Sequence, residues 1–239
     1  FFVHLMDLED FMEYKETKEA VFLERPNRFC ANVLIDNVPE EVHVKNTGRC
    51  KELLIPGAKV ILEKAQNPER KTRYSLVSVY KGDMLVNMDS QAPNAVVFEA
   101  IRAGKIAQIG APVCLRREVR FGNSRFDLYF ENRGRKGFVE VKGVTLEENK
   151  TVSFPDAPTE RGRKHIYELI KAKKEGYEAY IFFLIQMKGP KKFMPNALHD
   201  AKFAKALREA CNAGVTILAY DSVVKKSSIE MDSPVEILI

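Results

Sequence analysis

Two segments decide the reading of this chain: Arg125-Phe-Asp-Leu-Tyr-Phe130 and Phe138-Val-Glu-Val-Lys-Gly-Val144. The first alternates. Phe126, Leu128 and Phe130 fall on one face of a strand, and Arg125, Asp127 and Tyr129 on the other. Asn132-Arg-Gly-Arg-Lys-Gly137 then reads as a turn, so a hairpin is expected. In the second segment Glu140 and Lys142 lie two residues apart and share a face. If the two strands pair, Asp127, Glu140 and Lys142 converge.

An Asp followed on the adjoining strand by Glu-x-Lys resembles the PD-(D/E)xK nuclease superfamily. The leading proline is absent, because Phe126 stands in its place. Phosphodiester hydrolysis needs charge neutralised on the phosphoryl oxygens and a water readied for attack. A hard cation, Mg²⁺ or Mn²⁺, held by a few carboxylates supplies both. The expected catalytic residues are therefore Asp127, Glu140 and Lys142, with the two carboxylates as metal ligands. Lys142 would orient the attacking water or stabilise the pentavalent charge. The resemblance implies two further metal-side groups, the carbonyl of Val141 and the carboxylate of Glu99. Acid-x-Lys on a strand is also a common cross-strand ion pair. The weight therefore lies on the combination with Asp127 and a helix upstream.

That helix is expected over Ala95–Ala103, capped by Asn94 and stopped by Gly104. Residues 89–94 read as a polar, proline-containing linker. Downstream, a helix is expected from Thr159 to Gly176. A buried strand follows through Ala179–Ile185, then a helix capped by Asp200, then a strand over Val215–Tyr220. Strand, helix, strand with short joints predicts a parallel pair. Residues 89–239 thus form a mixed-sheet, nuclease-like α/β domain. Residues 19–88 hold about five short strands without a helix, which fits an OB-type β-barrel, with an SH3-like barrel as the rival. The whole is α+β. Residues 1–18 are unassigned.

Two further groups of residues suit a nucleic acid. In the barrel, Arg25, Arg28, Phe29, Arg49, Arg73 and Tyr74 interleave cations with rings, as strand-binding barrels do. Around the second helix, Arg161, Arg163, Lys164 and His165 crowd a helix N-terminus, a plausible phosphate site. Arg161 and His165 share a face at i, i+4. An ordinary basic surface gives the same pattern, so these groups support the reading without carrying it.

The formal charge is +5. Residues 1–19 carry six acids and two lysines, so the two folded parts are more basic than the total suggests. Such a surface attracts phosphate backbones and acidic membranes alike. No apolar run approaches the ~20 residues of a membrane span, and without an amphipathic lipid-facing helix DNA comes ahead of a membrane as partner. Cys30, Cys50, Cys114 and Cys211 are scattered, which disfavours a metal finger. They read as reduced core residues of a cytoplasmic protein. No Gly-rich nucleotide loop or GxSxG elbow is present, and no helix-turn-helix is evident, so sequence-independent phosphate contacts are expected.

Phe138-Val-Glu-Val-Lys-Gly-Val-Thr-Leu146, Phe154-Pro-Asp-Ala-Pro-Thr-Glu-Arg-Gly-Arg-Lys-His165, Asn46-Thr-Gly48 and Gly214-Val-Thr-Ile-Leu-Ala-Tyr220 together resemble the sugar fermentation stimulation protein A family. The resemblance runs from about Glu19 to the C-terminus. It implies an N-terminal OB-type domain, a nuclease-like C-terminal domain, non-specific DNA binding and a regulatory role in sugar (maltose) metabolism. Gly143 stands where a Ser is frequent in the family. Two functions follow: a metal-dependent nuclease, or a non-catalytic DNA-binding regulator on an inherited nuclease fold.

Overall fold

The structure is a computed structural model, and it describes residues 12–46 and 48–239. The expectation for residues 1–18 falls largely outside that range. The part inside it is tied down. Strand β1 (Met12–Glu13) pairs with a strand near the C-terminus, and β2 (Thr17–Glu24) already belongs to the barrel.

The barrel continues through β3 (Cys30–Ile35), β4 (Val38–Val44), β5 (Lys59–Lys64), β6 (Tyr74–Lys81) and β7 (Met84–Asn87). The first three strands form a meander, β5 returns to β2, and β6 pairs antiparallel with β5. A short parallel pairing of β4 with β6, His43↔Ser75 and Val44↔Leu76, closes the cylinder. That parallel closure is the OB arrangement, and it separates the barrel from its SH3-like rival. Alternating Val33, Val42, Val44, Val60, Leu62, Leu76 and Val79 fill the interior.

Helix α1 (Ala92–Arg102) opens the second domain. It starts three residues earlier than expected, with Gln91 at the cap position and Pro93 in the first turn. Proline suits that turn because its missing N–H would have no intrahelical partner. Asn94 is therefore inside the helix and free for another use. Gly104, at φ +69°, ends the helix as expected.

Strands β8 (Cys114–Phe121), β9 (Ser124–Asn132) and β10 (Arg135–Val144) form an antiparallel meander. Next come β11 (Leu146–Glu148), β12 (Thr151–Phe154), α2 (Glu160–Lys174), β13 (Glu178–Ile185) and β14 (Lys192–Pro195). Helix α3 (Ala201–Asn212), β15 (Thr216–Lys225), β16 (Ser228–Pro234) and β17 (Glu236–Ile237) complete the chain. The main sheet runs β1-β16-β15-β13-β10-β9-β8, and β10, β13 and β15 are parallel. A small sheet, β11-β12-β14-β17, leaves no periodic signal in the sequence, because its strands are two to four residues long.

Helix α1 covers one face of the main sheet, through Val96, Val97, Ala100 and Ile101. Helices α2 and α3 cover the other, through Ile166, Leu169, Phe203 and Leu207. Strand β13 is buried on both sides, which explains its unbroken apolar run. One continuous core joins the barrel to the α2 side, so the two domains pack as a unit. Gln186 Nε2 crosses the junction to Asn87 Oδ1 at 2.7 Å and the Asp89 carbonyl at 3.0 Å. Of the cysteines only Cys50 is a core residue; Cys30 and Cys114 are half-buried and Cys211 is exposed. Among the described residues no helix is long and apolar enough to cross a membrane.

Asp200 shows how the α2–α3 side is pinned. One carboxylate oxygen caps α3 at Phe203 N (2.9 Å), and the other accepts from Thr159 N (2.9 Å) and Arg163 Nη1 (2.8 Å). Asp200→Ala removes a cap and leaves the half-buried Arg163 guanidinium with only the exposed Glu160 carboxylate, at 3.8 Å. The expected loss is roughly 2–4 kcal/mol, read by urea denaturation.

Candidate active site

The site arises where the hairpin stops pairing. Strands β9 and β10 are in register from Asn132↔Arg135 to Leu128↔Val139, and there the ladder ends. Asp127 fills the gap that opens. Its Oδ2 accepts from Val141 N at 2.8 Å, and its Oδ1 accepts from Asn94 Nδ2 at 3.0 Å. A side chain thus takes the place of a missing ladder bond. On the other flank, Glu118 of β8 falls opposite Asp127 with φ +58°, and the pairing skips that position.

The strict alternation expected for β9 breaks at this point. Phe126 packs on the α2 side, against Phe121, Phe138 and His165. Leu128 and Phe130 pack on the α1 side. The splay, rather than ideal pairing, brings Asp127 to the next strand. The N–H and C=O of one strand residue point to the same edge. The Val141 carbonyl therefore faces the same gap as the Asp127 carboxylate.

Glu140 lies beneath, 1% exposed. Its Oε1 receives Lys142 Nζ at 2.5 Å and contacts His165 Nδ1. Its Oε2 is buried with no hydrogen-bond partner among the described residues. Burial pushes the Asp127 carboxyl up to about 6, and the neighbouring Glu140 charge adds to the rise. Burial also acts to raise Glu140, but the contacts from His165 and Lys142 outweigh it and hold Glu140 below the usual carboxylate range. The two carboxylates are thus driven apart: one is held ionised, and the other is reluctant to ionise.

Glu99 is not part of this group. It is five residues beyond Asn94 on α1, roughly 140° around the helix. Its Oε2 accepts from Met12 N at 2.9 Å, at the opposite edge of the sheet. A ligand role beside Asp127 does not survive that placement. Among the described residues no group of three or more His, Cys, Asp or Glu side chains gathers around a metal-sized space.

Several expected nucleic-acid contacts are already occupied. Arg25 spends its guanidinium on four backbone carbonyls, those of Arg28, Asn46, Gly48 and Arg49. Arg73 forms a two-pronged pair with Glu40. Tyr74 is half-buried, with the Arg73 guanidinium 5.9 Å from its ring centroid. Arg163 is held by Asp200, and Lys164 donates to the Asn123 carbonyl at 3.0 Å. His165 is buried on Glu140 and does not reach a surface phosphate. Arg28, Phe29, Arg49 and Arg161 remain exposed. Sequence reasoning misses Asn94, which reads as a cap, and the part His165 plays at Glu140. The i, i+4 relation of His165 to Arg161 is legible, but nothing local says that a helix will lie across β10.

Beside the site, a cleft of about 380 Å³ opens between the domains. Asn46, Gly48, Arg49 and Ser90 line it on the barrel side, and Gly143, Thr145, Ser153 and Asp156 on the other. A Cβ on Gly143 would collide with Gln186 Oε1 and lie 2.8 Å from Pro93 Cγ. A serine there would need those neighbours to shift.

Residues 91–228 match the family model described as the sugar fermentation stimulation protein RE domain, and residues 23–88 match the SfsA N-terminal OB domain. The chain belongs to the SfsA family. The OB match covers the barrel from the end of β2 onward, and the RE match runs from α1 to the start of β16. SfsA-family relatives share most of its length. The sugar fermentation stimulation protein homolog of Alkaliphilus oremlandii (strain OhILAs) is 57% identical over 231 residues, covering 95% of this chain and 98% of that protein. The homolog of Ruminiclostridium cellulolyticum is 52% identical over 226 residues, covering 95% and 99%. SfsA of Pyrococcus furiosus, solved in complex with Ca²⁺, superposes with a TM-score of 0.86 at 31% identity, over 96% of this chain and 99% of that one.

Proposed function

We propose that this SfsA-family chain binds DNA largely without regard to sequence and hydrolyses its phosphodiester bonds with the help of a divalent cation. The observation that carries the reading is the orphaned Oε2 of Glu140. It is a buried carboxylate oxygen with no donor among the described residues, next to a second carboxylate whose proton is hard to remove. A hard dication answers both features. Asp127 and Glu140 would hold it, with the Val141 carbonyl facing the same gap, a small protein donor set of the kind Mg²⁺ or Mn²⁺ accepts. The Ca²⁺ in the Pyrococcus furiosus relative is likewise an oxygen-seeking dication. Such an ion, when bound, supplies charge neutralisation at the phosphoryl group and lowers the pKa of a water.

The chain's own residues supply position and charge. Asn94 and the Val141 amide fix both oxygens of Asp127. His165 and Lys142 fix one oxygen of Glu140 and leave the other free. The Lys142 ammonium has three donors and gives one to Glu140, so others remain for a phosphoryl oxygen or an attacking water.

The test is incubation of the full chain with single- and double-stranded DNA in Mg²⁺ or Mn²⁺, with Asp127→Ala alongside. Cleavage by the wild type, lost in Asp127→Ala while DNA binding persists, is the expected result. No cleavage with either ion, with steeply salt-dependent binding intact, turns the reading to a non-catalytic DNA-binding regulator. The Lys142–Glu140 ion pair is the observation that favours that alternative, since it satisfies part of the site without any ion.

A further inference from the structure

The interdomain cleft does not end at the barrel. A second hollow, of about 230 Å³, is lined by Arg25, Asn27, Arg28, Gly48, Arg49 and Lys51. The two share Gly48 and Arg49 and so adjoin at that loop, and a ligand long enough to cross it would occupy both as one trough. It runs from the barrel rim, across the side-chain-free floor at Gly48, to Gly143, which follows Lys142 in β10. Added bulk at Gly48 would meet Asn46 Oδ1 at 2.9 Å and Asp156 Oδ2 at 3.0 Å, so the floor is narrow because the walls are close.

The chemistry along the trough is ordered. Beside Arg28, which lines the outer hollow, Phe29 is 47% exposed, with the Arg28 guanidinium 4.8 Å from its ring centroid. An exposed ring beside a cation is a stacking platform for a base. Arg28, Arg49 and Lys51 are exposed and have no ion-pair partner among the described residues, which suits phosphates. Deeper in, the wall presents the exposed Asp156 carboxylate, which has no hydrogen-bond donor among the described residues. A carboxylate repels phosphate but accepts from the amino groups on a base edge. Those edges are free only in an unpaired strand. The volume of the cleft, about 380 Å³, suits a nucleotide-sized group and not a duplex.

We propose that the trough binds a single strand of DNA, one base stacked on Phe29 and the next nucleotide in the cleft with its base edge toward Asp156. The strand leads from the barrel to Lys142 and Glu140. The proposal rests on the DNA-cleaving reading above for its direction, but not for its measurement.

Binding is measured by fluorescence anisotropy in EDTA, with the full chain, a mixed-sequence single-stranded oligonucleotide and the matching duplex. Wild type is compared with Phe29→Ala, Arg49→Glu and a control away from the trough, Val38→Ala, whose side chain is exposed on β4. Wild type is expected to prefer the single strand by about tenfold or more. Phe29→Ala should weaken that binding by about 5- to 100-fold and change duplex binding less than about twofold. Val38→Ala should match wild type. Duplex binding as tight as single-strand binding overturns the proposal, as does an equal effect of Phe29→Ala on both. If the expected pattern appears and no DNA is cut in Mg²⁺ or Mn²⁺, the catalytic reading fails and the strand trough stands. If DNA is cut without strand preference, the trough proposal fails alone.

Discussion

Lys142→Ala is expected to reduce the proposed metal-dependent DNA cleavage by about a thousandfold or more, while Ca²⁺ affinity stays equal to wild type or rises. The direction of the second effect follows from the geometry. The ammonium sits 2.5 Å from Glu140 Oε1, so it neutralises the carboxylate that would bind the ion. Removing it leaves Glu140 a better anion for a dication and removes the donor for the transferring phosphoryl group. Glu140→Gln is expected to lose both cleavage and Ca²⁺ binding. The two variants thus separate a residue that serves the transition state from one that serves the ion. Isothermal titration with Ca²⁺ and gel-based cleavage in Mg²⁺ give the two readings. Cleavage by Lys142→Ala within tenfold of wild type would remove this lysine from the chemistry.

Much of this site and its scaffold is legible in the amino-acid sequence. The Glu140-x-Lys142 spacing sets a shared face, the Asp200 cap marks the start of one helix, and Thr159 marks the start of another. The apolar run at Ala179–Ile185 marks a central strand. What escapes has one physical source. Local periodicity describes ideal strands and helices, whereas a site forms where they deviate. Alternation places Phe126 with Leu128, and the splay at Asp127 sends them to opposite cores. Asn94 has the chemistry of a cap, but Pro93 fits inside the first turn and moves the cap to Gln91, releasing the Asn94 amide to Asp127. Glu99 has the right chemistry and the wrong helical angle. Arg25, Arg73 and Arg163 have the chemistry of phosphate contacts, and tertiary neighbours claim them. A charge in the sequence reports nothing about which partner reaches it first.

Asp127→Asn should stabilise the ion-free protein at pH 8 by about 2 kcal/mol, although it abolishes the proposed activity. The sign follows from the folded-state value of about 6, above the ordinary 3.8. Below about pH 4 the carboxyl is protonated in both folded and unfolded chains and costs nothing. As pH rises from about 4 through 6, the unfolded chain releases its proton more readily, so folding loses stability. Above about 6 the full penalty persists. Glu140 opposes this trend, because its folded-state value is lowered: its stabilisation is present above the ordinary 4.5 and fades as pH falls. In wild type the Glu140 contribution is complete above about pH 4.5, so the decline from there to about pH 6 belongs to Asp127. In Asp127→Asn only the Glu140 contribution remains, so the stability profile should no longer decline across that interval. The Asn carbonyl can still accept from Val141 N, and Asn94 can turn its amide to meet the new NH₂, so the fold has no other reason to change. Mg²⁺ or Ca²⁺ should raise the melting temperature of wild type more at pH 8 than at pH 5, and should leave Asp127→Asn unmoved. A variant no more stable than wild type in EDTA, or a wild type equally responsive to divalent ions at both pH values, would show that Asp127 carries no buried charge for an ion to relieve.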